Sequence, residues 1–332
     1  MVGFRGLTAP PDAPIVADIV KRHVGAVVLF DYDVALRSSV RNIQSPAQVV
    51  QLTASLQAQA AAPLLIAVDQ EGGLVARLNA QYGFPPTRSA QTLGERGDPA
   101  FTYAEAARMA QTLAAAGITH NLAPVVDANT NPANPVIGRL GRSFGADPAA
   151  VIAQARAFIE AHRAHGVTTT LKHFPGHGSS QADSHLGLVD VSATWQPLEL
   201  DPYRVLIGEG LVDAVMTAHV FNGRLDPDLP ATLSKATITG LLRQELGYDG
   251  VVITDDMNMA AITGQYGFAQ AAVLAIEAGA DLLAYGNNLV YDAGVAERAV
   301  AALLSAVEQG ELSAARIDES YRRVMALARR AV

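Results

Sequence analysis

The sequence predicts a single-domain α/β protein, a (β/α)8 barrel of the TIM type, on three observations. The 332 residues contain eight short β-branched or leucine-rich runs, and each run is followed by a Gly/Pro/Asn/Asp loop and a segment of helical periodicity. This alternation is typical of repeated βα units. Eight such units fit a closed barrel of about 250 residues with insertions better than an open doubly wound sheet. No linker or shift in composition marks a second domain, so we expect residues 1–332 to form one.

The predicted strands lie, in chain order, at residues 2–4, 26–30, 64–69, 119–124, 168–174, 214–220, 251–255 and 281–285. Helical periodicity is clear at residues 47–60, where Val49, Leu52 and Leu56 fall on one face. The preceding Ser45-Pro46-Ala47-Gln48 predicts a capping box with proline at the first helical position. A helix at residues 313–330 closes the pattern.

Composition excludes several classes of protein. The formal charge of −8 and the pI of about 5.5 argue against nucleic-acid binding, which needs a basic face. No apolar run approaches the ~18 residues of a membrane helix, because the best candidate, residues 271–284, contains Glu277 and Asp281. The absence of cysteine excludes disulfides, thiolate metal ligands and a cysteine nucleophile.

The N-terminal residues lack the basic and then apolar regions of a signal peptide. We therefore expect a cytoplasmic protein, although a signal removed from the chain would leave no trace. We also expect a monomer without a cofactor, and neither a membrane nor a nucleic acid as partner.

Polar residues end four of the predicted strands. The third strand runs into Asp69-Gln70-Glu71, the fifth into Lys172-His173, the sixth into His219 and the seventh into Asp255-Asp256. In a barrel of this kind the active site is built at the carboxyl ends of the strands. One such residue is as easily a cap for a neighbouring helix, but four strands with the same pattern predict an active site.

The loop at residues 172–185 is the most distinctive segment. Asp183 and His185 lie two residues apart, so the carboxylate can accept a hydrogen bond from one imidazole nitrogen and raise the basicity of the other. This spacing predicts an acid/base dyad. Two alternatives stay open at this point: an ordinary polar loop, or a zinc site made by His173, His177, His185 and an aspartate.

Five motifs resemble glycoside hydrolase family 3, and more narrowly its single-domain β-N-acetylglucosaminidase branch: Asp69-Gln70-Glu71-Gly72-Gly73, the Lys172-His173-Phe174-Pro175-Gly176-His177-Gly178 loop with Asp183-Ser184-His185, Met216-Thr217-Ala218-His219, Pro230-Ala231-Thr232-Leu233-Ser234 and Thr254-Asp255-Asp256-Met257. The resemblance implies that Asp255 is the nucleophile. It further implies that His185 is the acid/base and that Asp183 is its partner.

The same resemblance assigns five residues to the subsite that holds the sugar: Asp69, Arg77, Arg142, Lys172 and His173. This chain has an insertion, Arg139-Leu140-Gly141, before the Arg142-Ser143-Phe144-Gly145 match, so Arg139 competes with Arg142 for the role. We favour Arg142 because the motif follows it directly.

The resemblance implies a retaining exo-β-N-acetylglucosaminidase that hydrolyses terminal non-reducing GlcNAc from muropeptide fragments or chitooligosaccharides. Hydrolysis is favoured over phosphorolysis. The alternative hypotheses are a β-glucosidase, a metal-dependent hydrolase and a non-catalytic carbohydrate-binding barrel.

Four further residues receive expectations of their own. We expect Trp195 to be a packing anchor, Asp256 to brace its loop or cap the following helix, and His177 to shape the loop. Asp127, which ends another apolar run, can orient neighbouring strand-end groups, and its function stays open at this point.

Overall fold

Eight parallel strands form the centre of the computed structural model, which describes residues 1–331. In sheet order they are β1 (Val2–Gly3), β2 (Ala26–Leu29), β3 (Leu65–Val68), β4 (His120–Asn121), β5 (Thr168–Phe174), β6 (Ala214–Thr217), β7 (Val251–Asp256) and β8 (Leu282–Ala284). A parallel bridge between Val2 and Tyr285 joins the first strand to the last, with the Gly3 amide donating to the Tyr285 carbonyl over 2.8 Å. The predicted (β/α)8 barrel is confirmed.

Helices surround this sheet. They span Pro14–Arg22, Pro46–Gln59, Ala90–Arg96, Pro99–Ala115, Pro148–Arg163, Asp201–Gly208, Ala260–Thr263, Phe268–Ala278, Val295–Glu308 and Ala314–Arg330, with a π-helix at Ala236–Glu245. Three of them begin with the same local chemistry, because Ser45, Asp98 and Asp147 each cap a helix whose first turn contains proline. No helix within residues 1–331 is long and apolar enough to cross a membrane.

Two apolar clusters hold the strands in place. Along β2, Ala26 and Val28 belong to the cluster inside the barrel, whereas Val27 and Leu29 belong to the larger cluster beneath the helices. This alternation follows from the twofold period of a strand that is buried on both faces. Apolar side chains therefore fill the interior of the barrel. The cavity described below lies beyond them, at the carboxyl ends of the strands.

Two predicted strands end three residues earlier than expected. The fourth strand was expected at residues 119–124 but is only His120–Asn121, since Pro124 has no amide hydrogen to donate to a ladder. The sixth strand was expected to reach residue 220 but ends at Thr217, and Val220–Phe221 pairs separately with Val189–Asp190.

The predicted capping box is half right. The Ser45 side chain accepts from the Gln48 amide, but the Gln48 side chain accepts from the Gln44 amide rather than from that of Ser45.

Candidate active site

A cavity of about 360 Å³ lies at the carboxyl ends of the barrel strands. The structure brings to its wall seven of the eight residues predicted for the site: Asp69, Arg77, Arg142, Lys172, His173, His185 and Asp255. The eighth, Asp183, joins the site through its hydrogen bond to His185. Because these side chains come from several strands and two long loops, only the closed barrel brings them together.

A buried network of charges forms one wall. Lys172 donates to Asp69 and also contacts Glu71, both over 2.7 Å, and Arg142 donates to the two oxygens of Glu71 over 2.7 and 2.8 Å. Burial by itself raises the pKa of Glu71, but Arg142 and Lys172 outweigh it and hold this pKa well below its usual range. The network presents fixed charges to whatever occupies the cavity.

Glu71 was expected only as part of the polar strand end Asp69-Gln70-Glu71, and no function was predicted for it. It lies two residues after Asp69, in the antiparallel pair formed by Gln70–Gly72 and Val75–Ala76. Its place within the Asp69-Gln70-Glu71-Gly72-Gly73 motif was the available signal. Its two cationic partners are 71 and 101 positions away along the chain, so no local pattern shows them.

The two candidate arginines differ in their position relative to the cavity. Arg142 lines the cavity, and its Nη1 donates to the Val136 carbonyl while its other nitrogens bind Glu71. Arg139 is not among the residues that line this cavity, and its amide donates to the Asn134 carbonyl. Arg77 makes longer contacts, with nitrogens 3.7 Å from Asp31 and Asp69.

Asp127 lies behind the cavity and binds two histidines. One of its oxygens is 2.7 Å from His173 Nδ1, and the other accepts the His177 amide over 2.7 Å. Burial raises the pKa of Asp127, yet His173 and His177 outweigh it and lower this pKa overall. These contacts place Asp127 where it can orient both histidines.

Asp255 is held as a carboxylate at the end of β7. Its Oδ1 accepts from the Asp256 amide over 2.8 Å. Burial favours the neutral acid, but the opposing influence of His219, His173 and His185 is larger and lowers the pKa of Asp255 to about 2. At any ordinary pH Asp255 is therefore an anion on the cavity wall, which is the state that a nucleophile requires.

The Asp183–His185 pair has the geometry that the two-residue spacing predicts. Asp183 Oδ1 lies 2.7 Å from His185 Nδ1 and also accepts the His185 amide over 2.8 Å. The His185 side chain is about half exposed, at 48%. With Nδ1 bound to the carboxylate, Nε2 is the nitrogen that remains to exchange a proton with a ligand.

The contacts of Asp256 and Trp195 are structural, as expected. Asp256 braces its loop by accepting from the amides of Asn258 and Gly286 over 3.0 and 2.9 Å, and burial raises its pKa to about 6. Trp195 is buried and donates from its indole nitrogen to the Pro175 carbonyl over 3.0 Å. It packs under the loop rather than facing the cavity.

The geometry does not support the hypothesis of a zinc site. Within residues 1–331, no group of three His, Cys, Asp or Glu side chains is arranged to hold a metal ion. Two of the histidines considered for it, His173 and His185, instead bind Asp127 and Asp183.

A strand-end carboxylate and a His–Asp pair on one cavity of a (β/α)8 barrel are compatible with the class of glycoside hydrolases. Residues 6–327 match the family model described as "Glycosyl hydrolase family 3 N terminal domain". The chain belongs to glycosyl hydrolase family 3.

Named relatives agree with this assignment. A beta-hexosaminidase from Xylella fastidiosa (strain M23) is 40% identical over 301 residues, which cover 87% of this chain and 85% of that protein. Beta-hexosaminidase A from Pseudoalteromonas piscicida is 34% identical over 347 residues, which cover 96% of this chain and 55% of that protein.

Solved structures show the same relationship. A glycoside hydrolase family 3 beta-N-acetylglucosaminidase from Paenibacillus sp. str. FPU-7 superposes with a TM-score of 0.91 at 43% identity, covering all of this chain and 61% of its own. A beta-N-acetylhexosaminidase from Beutenbergia cavernae DSM 12333 gives 0.85 at 36% identity, covering 99% and 95%. This chain thus spans little more than half of some relatives and nearly the whole of others.

Proposed function

We propose that the chain is a retaining exo-β-N-acetylglucosaminidase that releases terminal non-reducing β-linked GlcNAc by hydrolysis. The observation that carries this proposal is the pairing, on one cavity, of the ionised Asp255 with His185, whose Nδ1 is bound to Asp183. The names of the relatives from Xylella and Paenibacillus support the choice of GlcNAc as the sugar.

The first chemical step forms a glycosyl-enzyme. An oxygen of the Asp255 carboxylate bonds to the anomeric carbon while the glycosidic bond breaks, and the bonding electrons go to the leaving oxygen. The proton on Nε2 of His185 moves to that oxygen, so the aglycone departs as a neutral alcohol. Asp183 accepts from Nδ1 throughout and stabilises the protonated ring at the start of the step.

The second step returns the enzyme to its starting state. Water attacks the anomeric carbon, the ester bond to Asp255 breaks, and the neutral His185 removes the proton from that water. Two inversions at one carbon retain the β configuration. A retaining enzyme usually carries two carboxyl groups about 5–5.5 Å apart, and in this proposal the imidazole of His185 replaces one of them.

The charged wall supplies the contacts to the sugar. Asp69 can accept from sugar hydroxyls, while Arg77, Arg142, Lys172 and His173 can donate to them. Charged hydrogen bonds of this kind contribute roughly 1.5–3 kcal/mol each. Since Glu71 already binds both Lys172 and Arg142, these donors are held in place before the substrate arrives, which suits the recognition of a single terminal sugar.

The second candidate is phosphorolysis, in which phosphate replaces water in the second step. A neutral imidazole repels an anionic acceptor less than a second carboxylate does, and that is the observation in its favour. The names of the relatives favour hydrolysis. We propose GlcNAc-terminated muropeptide fragments or chitooligosaccharides as substrates of a monomeric enzyme.

The deciding experiment measures release of nitrophenol from 4-nitrophenyl N-acetyl-β-D-glucosaminide and from the matching β-D-glucoside, with EDTA present. Turnover of the GlcNAc compound alone supports the proposal. Preference for the glucoside would replace it with a β-glucosidase, and loss of activity on chelation would favour a metal-dependent enzyme. Repeating the assay in phosphate, with analysis of the sugar product, separates free GlcNAc from GlcNAc 1-phosphate.

A further inference from the structure

We propose that His177 and Ser184 are positioning residues that hold the acid/base dyad over the cavity, and that they connect it to the carboxylate that orients His173. This inference rests on the proposed function, in which His185 is the acid/base. It assigns a function to the second histidine of the loop, which touches neither substrate nor nucleophile in that mechanism.

The first observation is the burial pattern at the tip of the loop. Ser184 lies between Asp183 and His185 in sequence, but it is only 2% exposed, whereas the side chain of His185 is half exposed. The dyad is otherwise held by its own local turn, because Asp183 Oδ1 accepts the His185 amide and the Asp183 carbonyl accepts the Leu186 amide. Ser184 is thus the inward-facing residue of an exposed turn.

The second observation is what Ser184 contacts. Its hydroxyl lies 3.2 Å from His177 Nε2, and its carbonyl accepts the Ala261 amide over 3.3 Å. Ser184 Oγ therefore provides the side-chain connection between this turn and the body of the loop. Burial lowers the pKa of His177 to about 4, so its ring is neutral at neutral pH. One hydrogen then lies between Nε2 and the Ser184 hydroxyl oxygen.

The third observation is that His177 is itself fixed. Its amide donates to Asp127 Oδ1, its carbonyl accepts from the Asn134 side chain over 2.7 Å, and its ring meets that of His173 edge to face at 5.9 Å. The other Asp127 oxygen binds His173 Nδ1. One buried carboxylate therefore fixes a sugar-binding side chain on one side and, through His177 and Ser184, the dyad on the other.

This connection predicts a defect confined to proton transfer. Replacing Ser184 with alanine removes the hydrogen bond but leaves Asp183, His185 and the cavity wall unchanged. The dyad should then occupy its productive position less often, so substrates whose leaving group needs a proton should suffer and activated aryl glycosides should not. A general loss of structure would lower both equally.

The experiment measures kcat/KM of the full chain on chitobiose and on 4-nitrophenyl N-acetyl-β-D-glucosaminide for His177→Ala, Ser184→Ala and the double variant. We expect each single substitution to lower the chitobiose value about tenfold, as expected for one hydrogen bond. The aryl value should change less than about twofold. The double variant should be no worse than the worse single one, because the two residues act through one contact.

Ser180→Ala is the matched control. Ser180 belongs to the same loop, is fully buried, and its hydroxyl makes no hydrogen bond to any described residue. It should keep the ratio of the two kcat/KM values at the wild-type level. Equal losses on both substrates for Ser184→Ala, or a ratio no different from that of Ser180→Ala, would overturn the proposal even if His177→Ala fails to fold.

A parallel His185→Ala variant separates this inference from the proposed function. If His185→Ala loses activity selectively on chitobiose while Ser184→Ala does not, only the positioning proposal fails. If His185→Ala loses both activities equally, the assignment of the acid/base fails and the positioning proposal fails with it.

Discussion

Replacing Glu71 with glutamine tests whether the charged wall holds the barrel together as well as the substrate. Glu71 is 5% exposed, and three charged contacts of 2.7–2.8 Å end on its two oxygens, two from Arg142 and one from Lys172. Glutamine keeps the shape but removes the negative charge and turns an NH2 group towards a cation. Glu71→Gln therefore leaves two buried cations with less compensation.

The cost can be worked out from these contacts. Removing one partner of a buried ion pair destabilises a protein by about 3–5 kcal/mol. Lys172 keeps Asp69 at 2.7 Å and Arg142 keeps the Val136 carbonyl at 2.9 Å, so the lower end applies. An unfolding entropy of roughly 0.7 kcal/mol/K for a chain of this length converts about 3 kcal/mol into a fall in Tm of about 4 °C.

Scanning calorimetry at several pH values is the assay. Because the pKa of Glu71 is lowered on folding, its stabilisation is complete above the unfolded pKa of 4.5 and is lost as the pH falls through the folded value. The difference in Tm between wild type and Glu71→Gln should therefore be full at neutral pH and shrink in acid.

Glu209→Gln provides the control for this substitution. It breaks an exposed pair with Arg156, which contributes at most about 1 kcal/mol. A Glu71→Gln protein with the Tm of Glu209→Gln, or a difference from wild type that grows in acid, would refute the reasoning.

Three further predictions concern residues that line the cavity. Asp255→Ala should lower turnover by about 10⁴-fold or more while the protein still folds, as circular dichroism and activity together will show; substantial residual activity would place the nucleophile elsewhere. His185→Ala should lower kcat/KM about 100-fold on chitobiose but far less on the nitrophenyl substrate, and similar losses on both would contradict its assignment as the acid. Since burial raises the pKa of Asp256 to about 6, its contribution to stability is lost as the pH rises through that value. The Tm of wild type relative to Asp256→Asn should therefore fall between about pH 4 and pH 7, and a constant difference would show that Asp256 does not titrate there.

The barrel could be predicted from the sequence because its strands are short and buried on both faces. Apolar runs such as Ala26–Leu29 and Leu65–Val68 are typical of parallel strands that are buried on both faces. The expectation went too far where a run of the right composition contained Pro124. It also went too far beyond Thr217, where the chain leaves the barrel for a separate pair of strands.

The sequence predicts which residues line the cavity, but not which of them contact one another. Strand ends identify Asp69, Lys172 and Asp255 as neighbours, because parallel strands deliver their last residues to one rim. The double contact of Glu71 with Arg142 and Lys172 depends on where a long loop folds back, and nothing local in the sequence encodes that return. The same holds for the contact of His177 with Ser184, which needs a turn that only the packed loop defines.

The proposed nucleophile and the proposed acid/base lie on parts of the fold that differ in rigidity. Asp255 is the penultimate residue of a six-residue strand that is hydrogen-bonded to a neighbour on each side, whereas His185 lies on an exposed turn that is held inward through Ser184. Engineering can exploit this difference. If the proposed glycosyl-enzyme forms, substitutions confined to the turn should change which acceptors react with it, and hence the yield of transglycosylation, at little cost in folding. Substitutions at the buried apolar positions of the strand, Val251, Val252 and Ile253, would instead disturb the barrel that positions Asp255.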